Sequence, residues 1–151
     1  MTALPDSLCY LNGEYADLRE ARVSVLDRGF LQGDGACEIV PVFGRRLFRF
    51  SEHLARLEAS LQKMRIPNPL AADKWLVHCR RVVAAQVGDD QLLHLHVTRG
   101  VALPETRLPL PSAPTVFVMS RPLAHPSPEQ RHHGVACVTA RDFRWERGDI
   151  D

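Results

Sequence analysis

Alternating apolar and polar positions predict several short strands in the first third of the chain. The predicted strands cover residues 8–12, 14–18, 22–26, 36–43 and 46–50. The pair Asn12-Gly13 between the first two is a strong two-residue signal for a β-hairpin, because both residue types tolerate positive φ. Gly44 marks a second predicted hairpin between the last two strands.

In the next part of the chain, apolar residues recur with the period of a helix and predict two amphipathic helices. In the first, apolar residues recur at spacings of three and four, at Leu54, Leu57, Leu61 and Met64. Ser51 is the predicted N-cap, and Pro67 and Pro69 are expected to end this helix. The second helix is expected over residues 72–87, with Gly88 as its stop. Its predicted inward residues are Trp75, Leu76, Cys79, Val82 and Val83.

The remainder of the chain returns to strand patterns. Strands are predicted at residues 91–98, 116–119 and 135–139, with a proline-containing loop at 101–114 and a polar loop at 125–133. Hairpins followed by two helices and then further strands predict an α+β fold. We expect residues 1–114 to form an N-terminal α+β domain with its linker, and 115–151 to begin a second domain.

Composition narrows the possible functions. Nineteen basic and eighteen acidic residues leave a net charge of +1, which gives no electrostatic argument for nucleic acid or an anionic membrane. No apolar run approaches the roughly 20 residues that span a bilayer, and the N-terminus has no secretory signal pattern. The four cysteines are scattered, so we expect reduced thiols and a cytoplasmic protein. His94 and His96 share a strand face, but packing is favoured over metal binding, and we expect no metal.

The segment from Asp27 to Glu38 carries three glycines within seven residues and leads directly into an apolar strand. Glycine permits positive φ and lets other groups approach the backbone, so the loop is a candidate wall of a small-molecule site. The alternative is a glycine-rich turn that only reverses the chain. From this stretch alone, the turn is the favoured interpretation.

Four blocks of the sequence resemble the class IV (fold-type IV) pyridoxal-phosphate-dependent aminotransferases, in particular the D-amino-acid aminotransferase branch. The blocks are DRGF…GDGACE (27–38), EHLARLEAS (52–60), VTRG (97–100) and RWERGDI (144–150). They lie in the family's order, and the similarity extends from about Tyr10 to the last residue. The resemblance implies the N-terminal two-layer domain of that fold, followed by the first strands of the cofactor domain.

The resemblance also implies a cofactor and residues that hold it. Arg56, in the Glu-His-x-x-Arg-Leu helix, matches the arginine that binds the phosphate of pyridoxal 5'-phosphate. A guanidinium suits this role because it stays charged and makes forked hydrogen bonds to phosphate oxygens. The alternative for Arg56 is a surface ion pair with Glu52, four residues earlier on the same helix.

Substrate-contacting positions follow from the same resemblance. Cys37 stands where the family commonly has a tyrosine, and His94 lies on a strand that faces the pocket. The Arg-x-His pair with which the D-amino-acid branch binds the substrate carboxylate across a dimer interface has no match in residues 101–106. Arg107 is the candidate that stands slightly further along the chain.

The family's Schiff-base lysine is missing, because Asp151 occupies its position and is not competent for that chemistry. The resemblance implies an aminotransferase that acts on an amino acid and a 2-oxo acid as a homodimer. We expect this 151-residue chain to be an incomplete part of such an enzyme and inactive by itself. Two alternatives remain open: an aminodeoxychorismate lyase-like enzyme, and an inactive domain that dimerises or binds an anion.

Overall fold

The structure is a computed structural model that describes residues 7–103 and 113–143. Its elements, in chain order, are β1 (Leu8–Leu11), β2 (Glu14–Asp17), α1 (Arg28–Gln32), β3 (Gly35–Phe43), β4 (Arg46–Leu47), α2 (Phe50–Met64), α3 (Ala72–Ala85), β5 (Gln91–Thr98), β6 (Thr115–Pro122) and α4 (Pro128–His133). This mixture of hairpins, helices and further strands confirms the predicted α+β class.

In the described ranges, six strands form one antiparallel sheet in the order β2-β1-β6-β5-β3-β4. Strand β5 lies in the middle and pairs along its whole length with β3 and β6. The register places Cys37 opposite His96 and Ile39 opposite His94. Because side chains alternate between faces, these four side chains share one face of the sheet.

The other face of the sheet carries the hydrophobic core. Helix α2 packs over β3, and α3 packs over β1, β5 and β6. The core consists of Tyr10, Val40, Val42, Leu54, Leu57, Leu61, Ile66, Trp75, Cys79, Val82, Val83, Leu93, Leu95, Val97, Val116 and Val118. Alternate residues of each strand therefore meet the helices, which is the arrangement that the two hydrophobic periods predicted.

The strongest local signals are confirmed. Asn12 and Gly13 have φ of 49° and 103° and join β1 to β2 as the predicted hairpin. The side chain of Asn12 also accepts a hydrogen bond from the Val116 N–H at 2.8 Å, which ties this turn to β6. The predicted strand 91–98 has the same bounds as β5. Helix α3 ends two residues before the predicted position, at Ala85.

Three predictions about local structure were wrong in the first half. The strand expected at 46–50 is limited to Arg46–Leu47, and Phe50 already belongs to α2. Residues 22–26 form no strand, because their backbone pairing with other segments of the described residues is limited to one hydrogen bond from the Ala102 N–H to the Leu26 carbonyl, next to an isolated bridge between Asp27 and Val101. Ser51 is not the N-cap of α2. The helix begins two residues earlier, after the N-cap Arg49 in a left-handed conformation, and the Ser51 hydroxyl donates to the Glu52 carboxylate instead.

Two further differences lie after β6. Residues 128–133 form helix α4 rather than a polar loop, because Ser127 and Gln130 make a reciprocal capping box. The strand expected at 135–139 does not form. Val138 is 95% exposed, and no neighbouring strand among residues 7–103 and 113–143 pairs with this segment.

The structure also bears on the expected division of the chain. Strand β6 begins at Thr115 and lies inside the sheet between β1 and β5, so it belongs with the strands that precede it. The predicted boundary between residues 114 and 115 therefore falls before a central strand of the first unit. Among the described residues, no helix has the length and apolar character needed to cross a membrane.

Candidate functional site

A pocket of about 340 Å³ lies where the glycine loop meets the ends of β3, β5 and β6. Its lining residues are Val23, Gly29, Gly33, Gly35, Ala36, Cys37, His96, Val97, Thr98, Thr115 and Phe117. Among the described residues, this lining contains no lysine, arginine, aspartate or glutamate. The glycine segment thus forms the wall of a cavity, in agreement with the interpretation that the stretch alone did not favour.

Two positions in this wall require glycine for structural reasons. Gly33 ends α1 with φ of 63°, and its N–H bonds to carbonyls of that short helix. Gly35 faces the neighbouring strand so closely that a Cβ would lie 2.7 Å from the carbonyl oxygen of Val97. A side chain at residue 35 would therefore force β3 and β5 apart at the mouth of the pocket.

The carboxylate of Asp27 holds two parts of the pocket wall together. It is almost fully buried, and its carboxylate accepts hydrogen bonds from the Gly29 N–H at 2.8 Å and from the Thr115 hydroxyl at 2.6 Å. Both donors belong to residues that line the pocket. One carboxylate therefore holds the first turn of α1 against the start of β6.

A second carboxylate, Asp34, fixes the other end of the loop. It accepts from Arg99 Nε at 2.7 Å, from Arg99 Nη2 at 3.0 Å and from Arg28 Nε at 2.8 Å. Hydrogen bonds from Arg99, and then from Arg28, lower the pKa of this carboxyl group. Arg99 also donates to the carbonyl oxygens of Arg65 and Met64 at the end of α2, so the network joins the loop to the helix layer.

Of the three predicted substrate-contacting residues, the structure places Cys37 in the pocket lining but not His94. Cys37 is exposed on the pocket wall, opposite His96. His94 lies on the same sheet face, with its ring 6.2 Å from that of His96, but it does not line the pocket. Its Nε2 accepts a hydrogen bond from Arg121 Nε at 3.2 Å, and burial, together with the Arg121 charge, lowers the pKa of His94. Arg107 lies outside the described residues.

Arg56 makes a different contact from either alternative considered for it. Its Nε lies 2.5 Å from Glu38 Oε1 and its Nη2 lies 2.6 Å from Glu38 Oε2, a forked ion pair between α2 and β3. The Glu38 side chain is 6% exposed, whereas that of Arg56 is 66% exposed. The alternative, a surface pair with Glu52, does not form, because that carboxylate bonds to Arg49 and Ser51.

His53 completes this group. Its Nδ1 lies 2.9 Å from Glu38 Oε2 and 3.2 Å from Arg56 Nη2. A carboxylate oxygen only accepts, so the 2.9 Å contact requires a proton on Nδ1, which donates to Glu38, and the longer approach of Arg56 Nη2 to Nδ1 is not a second hydrogen bond. Hydrogen bonding from Arg56, with a further contribution from His53, lowers the pKa of Glu38. Glu38 is therefore an ionised carboxylate held by two donors from α2.

Sequence reasoning did not identify Glu38 and His53 as partners of Arg56. A signal was present, because alternation along β3 places Glu38 on the same face as the core residues Val40 and Val42. A carboxylate on a helix-facing strand position requires a donor from that helix. His53 and Arg56, three residues apart on α2, are on one side of the helix and supply it.

The pocket and the Glu38 group are neighbours around one strand end. Cys37 and Glu38 are consecutive, so their side chains point to opposite faces of the sheet. The pocket lining nevertheless includes Ala36 as well as Cys37 and His96. Ala36 is on the same face as Glu38, two residues away, a separation of about 7 Å along a strand.

The two remaining predicted site features, Asp151 and the absence of a metal, are not tested by the described residues. Asp151, like the 144–150 block, lies outside the described residues. No group of three or more metal-ligating side chains occurs within residues 7–103 and 113–143. The expectation that the protein binds no metal stays a prediction.

The amino-acid sequence matches a known family. Residues 35–150 match the family model described as amino-transferase class IV. The chain is 30% identical over 142 residues to a D-alanine aminotransferase of Staphylococcus aureus strain MSSA476, covering 93% of this chain and 50% of that relative. It is 32% identical over 139 residues to the Bacillus licheniformis D-alanine aminotransferase, covering 92% and 49%. The chain thus spans about half the length of the curated relatives it matches.

Solved structures give the same result for the fold. Escherichia coli branched-chain amino acid aminotransferase superposes with a TM-score of 0.75 at 21% identity, covering 83% of this chain and 43% of that one. A branched-chain amino acid aminotransferase from T.th., complexed with N-(5'-phosphopyridoxyl)-L-glutamate, gives 0.71 at 23% identity, covering 80% and 42%. The 4-amino-4-deoxychorismate lyase of Pseudomonas aeruginosa gives 0.69 at 30% identity, covering 85% and 44%.

Proposed function

The chain belongs to the class IV aminotransferase family, and we propose that it is the N-terminal part of a pyridoxal-phosphate-dependent aminotransferase. The proposed reaction moves an amino group between an amino acid and a 2-oxo acid. The observation that carries this proposal is the exposed guanidinium of Arg56, presented on α2 in a chain whose glycine loop forms the wall of a pocket with an uncharged lining. The names of the D-alanine aminotransferase relatives support a D-amino acid as the donor.

Arg56 is the proposed ligand of the cofactor phosphate. Its side chain is mostly exposed, and its Nη1 has no hydrogen-bond partner among the described residues, so the guanidinium retains donors for an anion. This donor set fits a phosphate group. When bound, pyridoxal 5'-phosphate supplies the electron sink for carbanion chemistry at the substrate Cα. Asp151 at the family's lysine position carries no such role, and we propose that the chain alone is inactive.

The glycine-walled pocket is the proposed binding site for the organic part of the substrate. Its wall lacks charged side chains, so it suits an uncharged substrate group rather than a carboxylate. Cys37 is the proposed contact at its centre, and His94 is proposed to act from the adjoining position on the same face. Arg107 remains the proposed partner of the substrate carboxylate.

Assembly and location are also proposals. The sheet face opposite the helices exposes apolar side chains, including Ile39 and Phe43. Exposed apolar surface of this kind supports self-association, and we propose a homodimer. Light scattering that gives a 17 kDa monomer at micromolar concentration would contradict this. We further propose that a second domain follows β6, and that the protein is cytoplasmic.

A lyase-like reaction is the second candidate. It is supported by the 30% identity to the Pseudomonas aeruginosa 4-amino-4-deoxychorismate lyase, which exceeds that to the two branched-chain enzymes above. A longer, lysine-containing version of the protein would distinguish the two. An aminotransferase forms a new amino acid from an added 2-oxo acid. A lyase releases pyruvate from aminodeoxychorismate and needs no 2-oxo acid.

The phosphate role of Arg56 can be tested on the chain itself. We expect Arg56→Ala to weaken binding of pyridoxal 5'-phosphate by about ten- to a hundredfold, because a charge-assisted contact is lost. Arg80→Ala on α3 is the matched control, since this arginine is also exposed. Equal cofactor affinity in the two variants, measured by fluorescence titration, would remove Arg56 from the phosphate site.

A further inference from the structure

The guanidinium of Arg56 has two edges that can each bind an oxyanion, and Glu38 occupies one of them. The Nε and Nη2 atoms of the inner edge lie 2.5 and 2.6 Å from the two carboxylate oxygens. The outer edge consists of Nη1 and the second N–H of Nη2. Nη1 has no hydrogen-bond partner in the described part of the chain, and the side chain is 66% exposed. An anion from solvent therefore reaches the outer edge first.

The inner pair is itself held in place. Glu38 is 6% exposed, and its Oε2 accepts a further hydrogen bond from His53 Nδ1 at 2.9 Å. Displacing Arg56 from this carboxylate would leave a buried charge with one remaining donor. Removing a partner from a buried ion pair is strongly destabilising. Glu38 therefore stays bound to Arg56 when an anion approaches.

We infer that Glu38 is a positioning residue, which fixes Arg56 so that a phosphate group binds end-on at the Nη1/Nη2 edge. This inference rests on the proposed phosphate role of Arg56 and adds to it the edge that is used and the residue that sets it. Glu38 does not touch the phosphate. It removes the rotamer freedom that a long exposed arginine would otherwise lose on binding.

The first experiment locates the edge. The 151-residue chain, labelled with ¹³C and ¹⁵N, is titrated with inorganic phosphate, while side-chain N–H signals of Arg56 and the carboxyl ¹³C signal of Glu38 are followed by NMR. We expect the Nη signals to shift and the Nε–H and carboxyl signals to stay. If phosphate instead shifts the Nε–H and carboxyl signals strongly, then it replaces Glu38 and the inference is wrong.

Two conservative variants test positioning separately from charge. Glu38→Asp keeps the negative charge but shortens the side chain by one methylene, so Arg56 loses its forked contact. We expect roughly tenfold weaker phosphate binding and faster exchange of the Arg56 Nε–H. Arg56→Lys keeps the positive charge but cannot bond to Glu38 and phosphate through two edges, so it should lose binding to a similar extent. Glu58→Asp, elsewhere on α2, is the control and should bind like the wild type.

The possible outcomes separate this inference from the function on which it rests. If the wild-type chain binds neither phosphate nor pyridoxal 5'-phosphate, then the phosphate role fails and the inference falls with it. If Arg56→Ala abolishes phosphate binding but Glu38→Asp and Arg56→Lys bind normally, then only the positioning role fails. Circular dichroism of each variant establishes folding, and the wild-type titration decides the edge if a variant does not fold.

Discussion

Asp34→Asn is predicted to be one of the most destabilising conservative substitutions in this protein. The wild-type carboxylate accepts three hydrogen bonds from two buried guanidiniums, and the side chains of Asp34 and Arg99 are 11% and 2% exposed. Asparagine can keep the two bonds of one oxygen, but its amide group would face Arg99 Nη2, so two donors would oppose each other. Two buried cations would also lose their only carboxylate in the described network.

The magnitude follows from this loss. Breaking a buried ion pair by removing one partner costs about 3–5 kcal/mol, a large part of the roughly 5–15 kcal/mol that stabilises a domain. Urea unfolding monitored by the fluorescence of buried Trp75 measures the change. Asp89→Asn is the control, because its ion pair with Arg45 is exposed and should contribute at most about 1 kcal/mol. Free energies of unfolding within about 0.5 kcal/mol for the two variants would refute the reasoning.

The same network predicts a dependence on pH. Its hydrogen bonds lower the pKa of Asp34 below the ordinary value of 3.8. The unfolded chain therefore takes up this proton at a higher pH than the folded protein does. The stabilisation is complete above pH 3.8 and is lost as the pH falls through the lower folded pKa. Over that acid range, the stability of the wild type should decrease more steeply than that of Asp34→Asn.

Three further substitutions test other parts of the fold and site. Gly35→Ala should lower the melting temperature measured by circular dichroism, because the added Cβ would meet the Val97 carbonyl oxygen at 2.7 Å; an unchanged value would show that β3 and β5 can separate there. Burial and two cationic side chains of α3 lower the pKa of His78, so the free energy of unfolding should decrease as the pH falls below 6.5. In urea unfolding at several pH values, His78→Gln should remove that part of the pH dependence. Ala36→Val should weaken binding of pyridoxal 5'-phosphate but not of inorganic phosphate, because only the larger ligand would extend from Arg56 toward the pocket; equal losses for both would contradict this.

The elements that sequence reasoning predicted well are those whose own residues determine their conformation. The Asn12-Gly13 turn needs positive φ at both positions, and these two residue types supply it. The α2 and β5 patterns repeat over enough residues for the helical and strand periods to differ clearly. The strands predicted at 22–26 and 135–139 failed for a different reason. A strand requires a partner, and a single segment carries no information about whether one is available.

The site also combines features that local residues determine with a contact that depends on a distant partner. The glycine spacing predicted a possible wall, and the resemblance selected Cys37, which the structure places in the pocket lining. The partner of Arg56 could not be read from its own helix, where the i−4 residue Glu52 suggested a surface pair. The contact with Glu38 depends on how α2 crosses β3, and that crossing is set by the core side chains packed between the two elements. Once alternation has assigned Glu38 to the helix-facing side, however, burial of its charge requires a cation, and Arg56 is the arginine of α2 that reaches it, together with His53. The position of Arg56 is thus fixed by the need to neutralise a buried carboxylate, which leaves the other edge of its guanidinium exposed.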